Sequence, residues 1–273
     1  MYSFLNNQFL PVDKTFIHVS DLTTQRGYGI FDFLKVVNGK PLFIDDYLDR
    51  FYRSAKSMRL DVSQSREELK KIIHELINKN GLENSGIKLI LTGGYSPDGY
   101  ELTAPNLIIT QHSLTMPSPE YLEKGVKIIT HEYVRDLPHV KSINYIMGVW
   151  LQKAVKEQQA ADVLYYLNGQ VSEFPRCNIF IVRDDGVVVT PADRVLHGIT
   201  RKNVLSLSGK PYTIREGTVN IEDVLTAKEV FLTSTTKRIV PIVKVNEAVI
   251  GNGKPGPVSQ HLLKDLIRLE LDY

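Results

Sequence analysis

The chain has 273 residues, enough for one large domain or two medium ones at roughly 150 residues each. Its 33 Lys and Arg against 31 Asp and Glu leave a net charge of +2, with 42% hydrophobic and 23% charged residues, which excludes a disordered chain and a polybasic nucleic-acid surface. We therefore expect small-molecule partners, with no nucleic acid and no membrane. The single cysteine, Cys177, excludes an intramolecular disulfide, and no segment looks like a leader or a membrane span. A cytoplasmic protein is expected.

The amino-terminal segment combines turn signals with apolar runs. Asn6-Asn7 and Asn38-Gly39 each separate two such runs, which predicts hairpins. Around the second turn the predicted strands cover residues 31–37 and 40–44. Residues 44–58 follow with apolar side chains at the three-and-four spacing of one helix face, which predicts a helix.

A second helix is predicted from its end signals. Ser65 and Glu68 have the spacing of a capping box, and Gly81 follows the last apolar position, so the helix begins after Ser65 and ends before Gly81. Residues 87–92 and 107–110 then predict strands. They bracket a loop rich in Gly, Pro and Tyr, long enough to be functional.

A domain boundary is predicted at Pro117 and Pro119, because prolines neither pair in a sheet nor continue a helix. The boundary gives an amino-terminal domain of residues 1–116 and a larger domain of residues 120–273. The second domain is predicted to contain further strands, a meander among them, and three helices. The strands cover 126–130, 163–167, 178–182, 187–190 and 230–233; the helices cover 142–157, a segment from Arg201, and 261–271.

Few residues in this pattern suggest chemistry by themselves. The chain has no zinc-ligand spacing, no Gly-rich phosphate loop and no GxSxG turn, and no metal site is expected. Lys141 precedes a predicted helix, Glu173 follows a strand, and two hydroxyl-rich turns contain Thr200 and Ser234-Thr235. Each also has an ordinary interpretation, as a surface charge, a rim carboxylate or a helix cap.

The order of these pieces resembles the class IV, fold type IV, pyridoxal-phosphate aminotransferases. The similarity covers nearly the whole chain and rests on four segments. These are RGYGIFDFLKVVNGKPLFIDDYLDRFYRSA, then VKSINYIMGVWLQKAVKEQQAADVLYYLNGQVSEFPRCNIFIV, then VLHGITR and VFLTSTTKRIVPI. The resemblance implies an α/β fold of two domains with the cofactor in the cleft between them, and a homodimer.

The resemblance also implies roles for two residues toward pyridoxal 5′-phosphate. Lys141 matches the lysine that binds the cofactor covalently and moves a proton between the substrate Cα and the cofactor C4′. Glu173 matches the carboxylate that keeps the pyridine nitrogen protonated, which makes the ring an electron sink. Both are expected to be catalytic.

Further residues match the family's cup for the 5′-phosphate. Arg50 matches the phosphate arginine, whose guanidinium suits phosphate oxygens, although a surface ion pair with Asp46 is the alternative. Ile199 with Thr200, and Ser234 with Thr235, are expected to complete the cup at turns where backbone N–H groups point at the anion.

The substrate side departs from the closest subfamily, the D-amino-acid aminotransferases. There a hairpin Tyr, with an Arg and a His from a loop of the partner subunit, binds the substrate carboxylate. The corresponding positions here are Phe31, Asp98 and Tyr100. An α-amino acid substrate therefore needs another cation, and Arg176, ahead of Arg26, is the preferred candidate.

These features favour transamination between an amino acid, a D-amino acid first, and a 2-oxo acid such as 2-oxoglutarate or pyruvate. Aminodeoxychorismate lyase is the main alternative because Phe31 matches the Phe found there in the lyases, although Asp32 and Phe33 replace the Thr that follows it. Branched-chain or amine transamination and a non-catalytic binding protein are further alternatives.

Overall fold

The computed structural model describes residues 1–114, 117–209 and 211–273. The chain forms two compact units. Unit 1 comprises Met1–Thr115 and Val140–Asn144, and unit 2 comprises Met116–His139 and Tyr145–Tyr273. These units differ from the predicted domains by the segment Val140–Asn144, and the boundary at residues 116–120 stays a prediction.

Unit 1 is built on one antiparallel sheet with helices. Its elements are β1 (Tyr2–Leu5), β2 (Gln8–Pro11), α1 (Leu22–Arg26), β3 (Gly29–Val37), β4 (Lys40–Pro41), α2 (Ile44–Ser57), α3 (Arg66–Asn80), β5 (Ser85–Thr92) and β6 (Leu107–Ser113). The six strands are antiparallel neighbours in the order β2-β1-β6-β5-β3-β4.

The core of unit 1 lies on one face of this sheet. Alternate residues of β3, Ile30, Leu34 and Val36, are fully buried, as are Leu48 and Phe51 on the apolar face of α2. The capping box between Ser65 and Glu68 and the left-handed Gly81 delimit α3 as expected. Both hairpin turns are also confirmed at their Asn positions. The opposite face of β3 carries Phe31.

Unit 2 contains a larger sheet. Its elements are α4 (Pro119–Lys124), β7 (Val126–Glu132), α5 (Ile146–Trp150), α6 (Gln152–Glu157), β8 (Val163–Leu167), β9 (Gln170–Val171), β10 (Asn178–Val182), β11 (Val188–Pro191), α7 (Ile199–Ser206), β12 (Ile214–Gly217), α8 (Ile221–Leu225), β13 (Glu229–Ser234), β14 (Arg238–Val245), β15 (Ala248–Val249) and α9 (Pro257–Asp272). The strand order is β12-β11-β10-β13-β14-β7-β8-β9, and β15 pairs with β14.

The β13 strand separates two apolar cores of unit 2. Val230 and Leu232 belong to one core, and Phe231 belongs to the other together with Val204 of α7 and Leu262 of α9. Side chains of successive strand residues point to opposite faces. Thr233 therefore points to the same side as Phe231, the side of α7.

Two predictions in unit 2 were wrong. The helix predicted from Ser142 begins at Ile146, and it is divided at Leu151 into α5 and α6, because residues 142–143 instead pair with β3: Ser142 bridges Ile30, and the Ile143 N–H donates to the Gly29 carbonyl. The predicted meander is absent from the described strands, since β10 pairs with β11 and β13 rather than with β8. No helix in the described ranges is long and apolar enough to cross a membrane.

Candidate active site

Lys141 lies on an extended segment of unit 1 that runs beside β3. The Phe31 N–H donates to the Lys141 carbonyl at 2.9 Å, and the Lys141 N–H donates to Ser54 Oγ of α2 at 3.2 Å. Its Nζ atom is 4.5 Å from the centre of the Phe31 ring, so the side chain contacts that ring. Unit 1 thus holds the backbone of Lys141 at both polar groups and brings its side chain to the predicted substrate residue Phe31.

Arg50 lies on α2 and is buried inside unit 1. It is 3% exposed and forms a two-pronged pair with Asp32, through Nε at 3.0 Å and Nη2 at 2.6 Å. Its guanidinium carbon is 5.3 Å from the centre of the Tyr47 ring. The surface alternative for Arg50 is therefore wrong. Asp32 fixes the arginine in orientation, since a guanidinium bound along one edge cannot rotate.

Lys88 is a cation that sequence reasoning missed. It lies on β5 in register with Phe33, and its ammonium nitrogen is 5.3 Å from the centre of the Phe31 ring. Phe31 therefore contacts two lysines, Lys141 and Lys88. The sequence shows Lys88 as one position of a predicted strand. Only the strand register of the folded structure places it beside Phe31.

The loop of residues 93–105 is organised by Asp98. Its Oδ1 accepts hydrogen bonds from Ser96 Oγ at 3.0 Å and from the N–H groups of Tyr100 and Glu101 at 2.8 Å. The backbone donors lower the pKa of Asp98, with the contribution of Glu101 the largest. Tyr100 is exposed at the tip, and Arg26 is exposed beside Gly99. Asp98 thus shapes the loop.

Glu173 lies in unit 2 at the start of a buried arch. Its Oε2 accepts from the Leu196 N–H at 2.9 Å and from Asn178 Nδ2 at 3.4 Å, and its Oε1 accepts from Arg135 Nε at 2.9 Å. Arg135 Nη2 also donates to the Pro138 carbonyl at 2.6 Å. These donors stabilise a buried negative charge that would otherwise be costly. Arg135 and Asn178 were missed because neither lies beside Glu173 in a recognisable pattern.

Two of the predicted phosphate residues of unit 2 lie at a helix start. Ile199 and Thr200 open α7, which has Gly198 as N-cap and no side-chain cap. A Cβ at Gly198 would collide with Asn178 Oδ1, and Asn178 is in register with Thr233. Thr233 is 1% exposed, and its Oγ1 has no hydrogen-bond partner among the described residues.

This arrangement fits an anionic group. Uncapped N–H groups at a helix start and the positive end of its dipole attract phosphate. A buried hydroxyl without a partner is costly unless a ligand satisfies it, and Thr233 points to the side of α7. The residues of unit 2 therefore fit the 5′-phosphate of pyridoxal 5′-phosphate.

Two further predicted residues lie near this part of unit 2. Ser234 ends β13, and its Oγ accepts from the Lys237 N–H at 3.1 Å, which stabilises the turn containing Thr235. Arg176 is the exposed residue of the otherwise buried stretch 171–182. It forms no ion pair within the described ranges, so its guanidinium is available to an anion.

Comparison with known proteins places this chemistry in a family. The model of the family "Amino-transferase class IV" matches residues 29–245. The D-alanine aminotransferase of Staphylococcus haemolyticus is 28% identical over 95% of this chain and 94% of its own length. That of Bacillus licheniformis is 29% identical over 94% of this chain and 93% of its own length.

Solved structures agree on the fold. A branched-chain amino acid aminotransferase of Escherichia coli superposes with a TM-score of 0.92 at 25% identity, covering 98% of this chain and 94% of that one. A T.th. branched-chain enzyme, solved with pyridoxamine 5′-phosphate, gives a TM-score of 0.91 at 23% identity over 98% and 93% of the two chains. Because the family model spans most of the sequence, the chain belongs to the class IV aminotransferases and is an aminotransferase that depends on pyridoxal 5′-phosphate.

Proposed function

We propose that the protein transfers the amino group of a D-amino acid to a 2-oxo acid such as 2-oxoglutarate or pyruvate. The observation that carries this proposal is the similarity, over nearly the full length of both chains, to D-alanine aminotransferases. The proposal assigns roles toward the cofactor or the substrate to residues of each unit: Lys141, Arg50 and Phe31 of unit 1, and Glu173, Ile199, Thr200, Ser234 and Thr235 of unit 2.

The proposed roles follow from the chemistry of each side chain. When bound, pyridoxal 5′-phosphate withdraws the electron pair left on the substrate carbon as its proton departs. Lys141 Nζ accepts that proton from the substrate Cα. Glu173 keeps a proton on the pyridine nitrogen, because hydrogen bonds from Arg135, Asn178 and the Leu196 N–H stabilise its negative charge. Arg50 and the start of α7 bind the phosphate.

The substrate carboxylate requires a cation here, because Phe31, Asp98 and Tyr100 replace the Tyr, Arg and His that bind it in the D-amino-acid aminotransferases. Phe31 has no hydrogen-bonding group, so the charge must come from its surroundings. Lys88 in unit 1 contacts the Phe31 ring, and Arg176 in unit 2 is exposed and lacks an ion partner among the described residues. We assign the carboxylate to these two cations, ahead of Arg26.

The proposal also includes a homodimer in the cytoplasm. On α5, the apolar residues Ile146, Val149 and Trp150 are 76%, 70% and 68% exposed, and a second copy covering them would remove that surface from water. A reducing compartment suits a chain whose one cysteine is a buried free thiol.

Light scattering of the protein and of Val149→Glu tests the dimer. Since Trp150 is the sole tryptophan, its emission reports the same surface.

A donor panel tests the function. Purified protein with pyridoxal 5′-phosphate is mixed with D-alanine, D-glutamate, L-alanine, L-leucine or a primary amine, and the half-reaction is followed by the cofactor spectrum. We expect the D-amino acids to react fastest. Faster reaction of L-leucine would favour branched-chain transamination, and release of pyruvate from 4-amino-4-deoxychorismate with no reaction of any amino acid would favour the lyase.

A further inference from the structure

Four polar residues from three segments of unit 2 meet around a buried carboxylate. Asp162 precedes β8 and its side chain is 3% exposed. Cys177 precedes β10, in the arch that begins at Glu173, and Ser234 and Lys237 belong to the turn between β13 and β14. The cluster thus contacts both the arch that carries Glu173 and the turn assigned to the cofactor phosphate.

The contacts form a closed ring. Lys237 Nζ is 3.6 Å from Asp162 Oδ2, and the Cys177 thiol points to the same oxygen at 4.0 Å. The Ser234 side chain lowers the pKa of the Cys177 thiol, and Ser234 Oγ accepts a hydrogen bond from the backbone N–H of Lys237. Each of the four residues therefore interacts with two others.

Burial keeps the thiol in its neutral form. It raises the pKa of Cys177 to about 11, and the Lys237 charge opposes that rise only in part. A neutral thiol can donate to a carboxylate, whereas a thiolate would repel it. The one buried negative charge of the ring, on Asp162, is therefore balanced by the one positive charge, on Lys237.

We infer that Lys237 and Asp162 are positioning residues which hold the turn of residues 234–237 in the conformation that binds the cofactor phosphate. The inference rests on the proposed function of that turn. The Lys237 ammonium lies at Asp162, and so it acts on the phosphate through the turn backbone and Ser234. Asp162 is bound on its other oxygen by the Val163 N–H at 3.0 Å, which anchors the ring to β8.

Binding of two aldehydes to the apoprotein tests this inference. Pyridoxal 5′-phosphate and pyridoxal differ only in the phosphate. In Lys237→Met we expect the dissociation constant of pyridoxal 5′-phosphate to rise at least tenfold while that of pyridoxal changes less than twofold. Lys237→Arg should restore binding to within threefold. The matched control is Lys244→Met on the neighbouring strand β14, where the lysine pairs with Glu247 at the surface; it should bind both aldehydes normally.

Asp162→Asn with Lys237→Met keeps the test decisive where Lys237→Met alone fails to fold, because the double variant buries no unpaired charge. The double variant should show the same selective loss, at least tenfold for pyridoxal 5′-phosphate and less than twofold for pyridoxal, and an unchanged affinity for pyridoxal 5′-phosphate would contradict the positioning role.

The outcomes separate the two proposals. If the unaltered protein binds neither aldehyde, the proposed function fails before the ring is tested. If it binds pyridoxal 5′-phosphate, and Lys237→Met leaves both dissociation constants unchanged or raises both by the same factor, the positioning role fails while the function stands.

Discussion

The Arg50–Asp32 pair of unit 1 and the Arg135–Glu173 pair of unit 2 join the same two chemical groups in different ways. Asp32 takes Arg50 along one edge of the guanidinium, with both side chains at most 3% exposed. Glu173 accepts a hydrogen bond from Arg135 Nε on one oxygen, and its other oxygen accepts from the backbone of Leu196. In unit 1 the carboxylate orients the arginine, and in unit 2 the arginine and backbone orient the carboxylate.

The difference indicates which member of each pair is assigned to the cofactor and which member balances its charge. A buried charge is costly unless an opposite charge in the same unit offsets its desolvation, and this holds also for a charge that binds a ligand. Asp32 compensates the cation that we assign to the phosphate, and Arg135 compensates the anion that we assign to the pyridine nitrogen. Removing the compensating residue should therefore affect folding first, and removing the assigned residue should affect the reaction first.

The largest effect is expected at Lys141, which lies outside both pairs but contacts Phe31 in unit 1. Lys141→Ala removes the group that moves the proton at the substrate Cα, so the half-reaction should slow by roughly 10²–10⁴-fold. Stopped-flow spectra with D-alanine measure the loss. Borohydride reduction of the holoenzyme followed by peptide mapping should label Lys141. The matched control, Lys153→Ala on the exposed surface of α6, should react normally, and a label on another lysine would contradict the assignment.

Breaking the pair of unit 1 should mainly reduce stability. Asp32→Leu leaves the Arg50 charge buried without its two-pronged partner, which costs about 3–5 kcal/mol of unfolding free energy. Urea unfolding of the apoprotein measures it. Asp45→Leu is the control, because Asp45 is 58% exposed and pairs with Lys70 at the surface, where such pairs contribute about 0–1 kcal/mol. Equal losses in the two variants would show that burial does not strengthen the dependence on Asp32.

Glu173→Gln should change the rate more than the stability. Glutamine keeps the shape and still accepts from Leu196, but it removes the charge opposite the pyridine nitrogen. Losing an ionic hydrogen bond of about 1.5–3 kcal/mol, felt mainly in the transition state, slows the half-reaction by roughly ten- to a hundredfold. Single-turnover rates unchanged within twofold, or a loss of stability as large as that of Asp32→Leu, would remove the contrast between the pairs.

Local signals predicted the fold where local contacts decide it. The capping box and Gly81 delimit α3, and the apolar spacing identifies α2, because a helix closes its hydrogen bonds within itself. The helix after Lys141 was placed four residues early, since Ser142 follows the helical pattern but pairs with Ile30 of β3. Tertiary pairing there outweighs propensity. The pairing of β10 with β13 could not be predicted from local sequence either, since β13 lies far along the chain from β10.

The site shows the same division. Lys141, Glu173 and Arg50 were predicted from a family pattern, which contains long-range information that one sequence does not. Arg135 lies 38 residues from Glu173, and Lys88 reaches Phe31 only through strand register. Thr233 gave no signal because an unsatisfied hydroxyl is a property of the packed structure. The sequence predicted the reacting groups, and the fold was needed to find the residues that contact them.

The smallest expected effects concern the substrate carboxylate and decide which unit supplies its cation. Lys88→Met removes the charge beside Phe31, and Arg176→Ala removes the exposed charge of unit 2. Each should raise the KM for D-alanine and pyruvate about five- to tenfold, ~1–1.4 kcal/mol, as expected for losing part of a charged hydrogen bond. A primary amine has no carboxylate, so its KM should change less than twofold, which makes it the internal control for each variant.

A larger loss in Lys88→Met would assign the carboxylate to unit 1, and a larger loss in Arg176→Ala would assign it to unit 2. Equal losses on the amine and the amino acid would mean that the altered residue supports the protein or its cofactor, and no loss in either variant would turn the search toward Arg26 and toward substrates without an α-carboxylate.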